Sequence, residues 1–542
     1  MFAIERPWGN GGGGSRIPRG FPGREGPAPA GHLAAGAGRA GLGRELQRRF
    51  VRWAVQRASW AGEGFYARGP SPAADGGAAR VGGIDCARMS LDKRAFESPP
   101  VRGKDDLVGW FRARERPASE WKVGIEYEAL AEVAGTRDPV PYAGPRGIEA
   151  VLRAFSRFGY EPFEEDGHAI AAQRGGLAIS IEPGGQLELS GRPFPDVHAV
   201  AAELDRHLEM TRALGAELGF GLLAAGYRPW GTPATAEWVP KARYAAMRPF
   251  LAARGRLAPD MMSMTASAQA SFDFGSERDA AEKLRVALAA QPAVVALCAN
   301  SPVVDGRDSG WQSFRTEVWN HTDPARCGVL PFAFEAGFED RAFEAYTAWA
   351  LDVPMVFLRR GGRYLETGGI PFRRFLDDGL AGHRATVSDW EDHLSVLFPE
   401  VRMKGVIEVR GADSGAPALV KALAAFWKGL LYSKESRDWA WDLSKRWSVA
   451  ERVALRDAAG REGLEARMPD GRALAEFAGS LLDAASLGLC RQGACGQRGE
   501  DERVWLAPFK EIALSRRTPA DAMLEVLGTR GAGALSDHLR VA

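Results

Sequence analysis

Four short segments of this chain each carry polar or ionisable residues two positions apart, set among apolar ones. They are Glu126-x-Glu128, Gln186-x-Glu188, Gln269-x-Ser271-x-Asp273 and Glu408-x-Arg410. A spacing of two puts both members on one face of a β-strand. The pattern is fullest in Ile179 to Gly191, reading ISIEPGGQLELSG, where Glu182 and Glu188 stand on either side of a Pro183-Gly184-Gly185 corner. From Gln186 to Ser190 polar and apolar residues alternate, the period of a half-buried strand. Gln186, Glu188 and Ser190 then share one face, with Leu187 and Leu189 on the other. Alone, each such strand is ordinary solvated surface. Aimed at one place, they make a pocket crowded with carboxylates and at least one guanidinium. Like charges that close repel unless cations neutralise them. Hard cations with oxygen ligands, Mg²⁺ above all, suit that pocket and leave positions open for nucleotide phosphates. Positioning and charge neutralisation are the chemistry of phosphoryl transfer. From the residues alone, a solvated face and a metal–nucleotide site both stay open.

The chain is long enough for a large core: 542 residues, 45% hydrophobic, formal charge +1. Balanced charge leaves no footprint for nucleic acid or a membrane surface, and the longest apolar runs fall far short of a membrane span. Five cysteines argue for a reducing compartment, read here as the cytoplasm. Cys490 and Cys495 are spaced so that they could pair or bind metal. There is no G-x-x-x-x-G-K-[ST], no G-x-S-x-G and no H-E-x-x-H, which sets aside P-loop enzymes, α/β-hydrolases and zincins.

Residues 1–88 are a separate compositional world, rich in glycine and alanine, without lysine, and with about twice as many Arg as acids. They are expected to be disordered, apart from an Arg-rich patch at 46–60, and to be an extension ahead of a native start at Met89. From residue 105 the chain reads as globular. Helices are expected at 105–114, 146–158, 196–219, 241–253, 277–299 and 387–397, and throughout the region after 416. Strands are expected at 121–131, 222–227, 263–274 and 406–410, with a hairpin over 170–190 turning at Arg174-Gly175-Gly176. The irregular mixing of helices with antiparallel hairpins gives an α+β class, with an antiparallel sheet forming the site.

The segments K122VGIEYE, I179SIEPGGQLELSG, D260MMSMTASAQASFDF, F314RTEVWNHTDPARCGVLPF and F398PEVRMKGVIEVRGAD occur in the order found in the plant-type glutamate–cysteine ligases, a family with proteobacterial members, which this chain resembles. The resemblance runs from about residue 105 to the end, so that 89–542 would be one catalytic domain. It implies a glutamine synthetase-like fold, related to the guanidino kinases, whose sheet forms an acid-lined funnel surrounded by helices. It implies ATP and Mg²⁺, with L-glutamate and L-cysteine as substrates. The γ-carboxylate of glutamate would be phosphorylated and then attacked by the cysteine amine, giving γ-glutamylcysteine, the first step of glutathione synthesis. By the same resemblance Glu126, Glu128, Glu182, Glu188 and Glu408 are the metal-ligand candidates. Arg410, with its forked guanidinium, and Gln269 would act at the transferred phosphate, and Arg243, Arg315 and Trp319 would hold glutamate. The glycines of the corner would let backbone approach the ligands closely.

Two positions depart from the pattern: Met264 and Ser271 stand where plant-type members carry Arg and Asn. Relatives that make γ-glutamylcysteine for ergothioneine are closer to MMSMTAS. Other readings are a related ligase with a different amine acceptor, a guanidino kinase, and a non-catalytic homologue. The last is set against by the five acids all being present. A monomer or homodimer is expected.

Overall fold

The computed structural model describes residues 98–542. The segment 1–88, its 46–60 patch and the start at Met89 lie outside the described residues. Nine strands form one sheet: β1 (Val123–Val133), β2 (Glu161–Glu165), β3 (His168–Arg174), β4 (Leu177–Ile181), β5 (Leu187–Ser190), β6 (Phe220–Leu223), β7 (Ser267–Phe272), β8 (Val401–Met403) and β9 (Ile407–Asp413). Their order is β8-β9-β7-β1-β5-β4-β3-β2, with β6 continuing on β1. Each pairing within the sheet is antiparallel. The α+β class with an antiparallel sheet is therefore what the chain adopts.

The alternation in β1 decides which way the sheet faces. Val123, Ile125, Tyr127 and Ala129 are buried in the main core, while Glu126 and Glu128 point the other way. Helices cover the apolar side: α1 (Val197–Leu218) and α6 (Pro417–Leu431) pack on β1, α6 also on β7, and α3 (Glu277–Leu297) on β9. Helix α1 begins where the Asp196 carboxylate accepts from Ala199 N at 2.8 Å, and it ends at Gly219 in the left-handed region. Helix α3 is buried over most of its length, wrapped by the C-terminal helices, including α7 (Leu474–Gln492). Three shorter helices reach the polar side of the sheet: α2 (Ala242–Ala252), α4 (Phe314–Asn320) and α5 (Val387–Ser395).

Two expectations are corrected. The strand expected at 263–274 is split: residues Ala258–Ser263 are helical and only Ser267–Phe272 is strand. Ser263 ends that helix, and its hydroxyl donates to the Pro259 carbonyl one turn back at 2.8 Å. The half-buried strand at Gln186 to Ser190 is buried on both faces, since β5 lies inside the sheet between β1 and β4 and a cavity closes over its polar side. Cys490 and Cys495 are free and exposed, so they do not pair. Among the described residues, no helix is long and apolar enough to cross a membrane.

Candidate functional site

The strands at the middle of the sheet bring the separated motifs into register. Glu126 lies opposite Ser190 on β5 and Gln269 on β7, and Glu128 lies opposite Glu188. On the next strand out, Ser271 faces Glu408, which pairs in turn with Arg402. The even positions of β1 thus meet the polar positions of β5 and β7 over one cavity of about 140 Å³. Glu126, Glu128, Glu182, Glu188, Gln269, Arg243, Arg315, Trp319 and Arg410 all line it. Only Glu408 of the predicted set does not. It is fully buried behind the wall.

Local structure sets each group. The Pro183-Gly184-Gly185 corner is pinned by Gln186, whose Oε1 accepts from Gly184 N at 2.9 Å and whose Nε2 donates to the Thr265 carbonyl at 2.8 Å. A Cβ on Gly184 would sit 2.2 Å from the Ser263 carbonyl oxygen. The glycine is needed for that backbone contact. In β9 the pairing with β7 shifts between Val409 and Ala412, a bulge that re-aims Arg410. Arg410 Nη1 donates to Gln269 Oε1 at 2.5 Å and to Glu408 Oε2 at 2.9 Å. Gln269 Nε2 donates to Glu128 Oε1 at 3.2 Å, and Glu128 also accepts from Ser267 N at 2.7 Å and Ser267 Oγ at 2.9 Å. Gln269 is therefore the link between the acid wall and the guanidinium.

Arg315 and Trp319 stand one turn apart on α4, with the guanidinium 5.6 Å from the ring centre. Arg315 Nη2 donates to the Arg410 carbonyl at 3.0 Å. Asp413, at the end of β9, fixes the start of that helix: it accepts from Ser313 Oγ at 2.9 Å, Ser301 Oγ at 2.6 Å and Asn300 N at 2.9 Å. Arg243 on α2 donates to Ser395 Oγ at 2.8 Å at the end of α5. Its neighbour Tyr244 donates to the Ile181 carbonyl at 2.7 Å, tying α2 to β4.

Reading the sequence missed Lys241, Arg402 and Lys404, all buried and all lining the cavity. Arg402 and Lys404 sit in the quoted motif VRMKGVIEVRGAD. The signal that could have found them is the hairpin register, which sets Arg402 across from Glu408. Arg402 Nε donates to Glu408 Oε2 at 2.7 Å, and Lys404 Nζ lies 2.6 Å from Glu408 Oε1. The polar face of β7 is only partly in the site. Gln269 reaches the cavity, while Asp273 turns away to Arg116 at 3.2 Å and Lys122 N at 2.8 Å. Met264 does not line the cavity either; it packs with Tyr227 and Val318 in a separate cluster.

The electrostatics divide the acids. Burial, reinforced by Glu188, raises Glu128 to about 7, and burial with Glu182 beside it raises Glu188 to about 7. Glu126 is pushed up to about 7 by burial, against the pull of Lys404 and with Glu408 and Glu188 adding to it. Glu182 is raised by burial and by Glu128. Burial pulls Glu408 up as well, but Arg402, Lys404 and Arg410 overcome it and hold the carboxyl well below its ordinary range. Burial lowers Lys241, against the pull of Glu182.

Among the described residues, no three His, Cys, Asp or Glu side chains are drawn together tightly enough to hold an ion as they stand. Neutral and basic groups separate them: Ser190 donates to Glu188, Ser267 and Gln269 to Glu128, and Lys404 stands between Glu126 and Glu408. The donor set nevertheless fits a hard divalent cation. Its acids offer carboxylate oxygens that are buried and repel one another, which is the condition that such a cation relieves.

The model of the glutamate-cysteine ligase family 2 matches residues 122–539. The chain is 38% identical over 464 residues to a chloroplastic glutamate–cysteine ligase of Nicotiana tabacum, covering 82% of this chain and 86% of that protein. It is 37% identical over 452 residues to the chloroplastic glutamate–cysteine ligase A of Oryza sativa subsp. japonica, covering 83% and 89%. A crystal structure of a glutamate–cysteine ligase from Francisella tularensis in complex with AMP aligns with a TM-score of 0.48 and 13% identity, over 77% of this chain and 88% of that one. The expectation of a cytoplasmic protein is corrected by the plant relatives, which are chloroplastic. A low cysteine count separates reducing from oxidising surroundings and cannot tell one reducing compartment from another.

Proposed function

The chain belongs to the glutamate-cysteine ligase family 2, and from that footing we propose that the acid-lined cavity joins the γ-carboxylate of glutamate to the amine of cysteine with ATP as the driving reactant. The observation that carries this reading is the convergence of Glu126, Glu128, Glu182 and Glu188 with Arg243, Arg315 and Arg410 on one cavity. A carboxylate is a poor acyl donor at neutral pH. An oxygen of the γ-carboxylate attacks the γ-phosphorus of ATP, the bond to ADP breaks, and a γ-glutamyl phosphate forms. The cysteine nitrogen then attacks the acyl carbon of that γ-carboxyl group, the C–O bond to phosphate breaks, and phosphate leaves as the amine loses its proton.

This chain's residues supply positions for those steps. Arg243 and Arg315 approach the cavity from α2 and α4 and offer guanidinium groups to the α- and γ-carboxylates of glutamate, with Trp319 as the wall beside Arg315. Arg410, aimed by the bulge and held by Gln269 and Glu408, meets the phosphoryl group in transit. The oxygens of Glu126, Glu128, Glu182, Glu188 and Glu408 would hold Mg²⁺, which neutralises phosphate charge when bound. On this reading residues 89–542 are the catalytic domain.

The test is ADP release by the purified chain with Mg-ATP and glutamate, with and without cysteine. Release stimulated by cysteine, with γ-glutamylcysteine as product, is the expected result. Stimulation by another amine and none by cysteine would replace the acceptor and keep the reaction class. A chain starting at Met89 is expected to turn over as the full chain does.

A further inference from the structure

The turn between β8 and β9 carries a cation to which the family motifs give no role. Lys404 is buried and lines the cavity, with its Nζ 2.6 Å from Glu408 Oε1 and 3.7 Å from Glu126 Oε1. One ammonium thus spans two carboxylates from different strands, β1 and β9. The two oxygens of Glu408 are held differently. Oε2 accepts directed bonds from Arg402 at 2.7 Å and Arg410 at 2.9 Å. Oε1 is met by the Lys404 ammonium at 2.6 Å. Because Arg402 and Arg410 both bind Oε2, the cation at Oε1 can change without breaking their bonds. Lysine suits that exchange, since its charge is compact and rides on a flexible four-carbon stem, whereas the two arginines are committed by their forks.

We propose that Lys404 is an internal counter-ion that competes with a divalent cation for the Glu126 and Glu408 oxygens, setting the affinity of that pair for metal and, once displaced, presenting its ammonium to the nucleotide phosphates. The proposal rests on the ligase reading in one respect, that Glu126 and Glu408 hold metal. Lys404 is on this view a positioning residue. Its removal raises metal affinity, an effect that a purely structural role does not produce.

The experiment is Mn²⁺ binding to the full chain without nucleotide, followed by calorimetry and by the EPR signal of free Mn²⁺. Lys404→Met is expected to bind at least about tenfold tighter than wild type, since one charge at ion-pair distance has left the site. Lys404→Arg keeps the charge on a forked, less easily displaced head and is expected to bind no tighter than wild type. Lys404→Met should also raise the KM for ATP while leaving the KM for glutamate unchanged. If Lys404→Met fails to fold, Lys404→Gln, which is uncharged and polar, carries the same expectation. An uncharged variant that binds Mn²⁺ no tighter overturns the proposal. The metal reading survives that outcome if Glu126→Gln still weakens binding. If Glu126→Gln binds Mn²⁺ as wild type does, the metal reading falls and takes the proposal with it.

Discussion

Two walls of acid, the one that lines the cavity and the one buried behind it, are built from the same side chain and behave in opposite ways. On β1 and β5, Glu126, Glu128 and Glu188 crowd one another and rise to about 7. On β9, two strands from Glu126, Glu408 is ringed by three cations and held well below its ordinary range. Burial raises all four, so burial does not separate them. The partner charges do. The first wall stores repulsion that a cation or a bound ligand can relieve, while the second is neutralised by Arg402, Lys404 and Arg410. A carboxylate on a strand therefore has no fixed meaning until the next two strands are known.

That contrast is best broken by removing one charge from each wall. Glu188→Gln is expected to lower turnover by about 10³-fold or more, comparable to losing a principal electrostatic contact in a transition state, while the melting temperature holds or rises because a like charge has gone. Turnover that survives the change would sink the metal-site reading. Glu408→Gln should do the reverse to stability. It leaves buried guanidinium and ammonium groups without their anion and is expected to cost about 3–5 kcal/mol in chemical denaturation. A variant as stable as wild type would remove the distinction between the walls.

Arg410→Lys keeps the charge and loses the fork. A drop of about 10²-fold in kcat, with stability within about 1 kcal/mol, is expected from steady-state kinetics beside a melt. An unchanged kcat would place the phosphate contact elsewhere.

His207, on α1 and stacked on Phe155 at 6.3 Å, lies outside the cavity and tests burial without partner charges. Burial lowers it from 6.5 to about 4. Its unfolded form takes up a proton first, so stability is full above pH 6.5 and is lost as the pH falls toward about 4. His207→Phe is expected to flatten that part of the stability–pH curve by up to about 3 kcal/mol. A curve with the wild-type slope would show that the acid sensitivity arises elsewhere. The smallest effect is expected from Met264→Leu, a near-isosteric change in a separate apolar cluster, with stability changed by less than about 1.5 kcal/mol and turnover within about twofold. A large loss of turnover would show that this cluster supports the cavity.

Much of the fold was legible because alternation is a local property. The odd residues of β1 face the core and the even ones the cavity, as a two-residue period requires, and Asp196 and Gly219 mark the ends of α1 by their own backbone chemistry. Lys241, Arg402 and Lys404 were not legible. Basic residues near acids are common, and whether they face a cavity depends on hairpin register and helix docking. Asp413 was missed for a similar reason: its partners, Asn300, Ser301 and Ser313, are more than a hundred residues away or nearly so, and no local pattern announces them.

The sequence by itself determined which residues could share a face, and through the order of its motifs it determined the family. The tertiary structure decided what those faces mean. Local spacing sets the direction of a side chain, but its charge state and task follow from what stands within a few ångströms. That is how the Glu188 strand came to lie buried in the middle of the sheet, and how Glu408 came to be an anion enclosed by three cations behind a wall that it does not itself line.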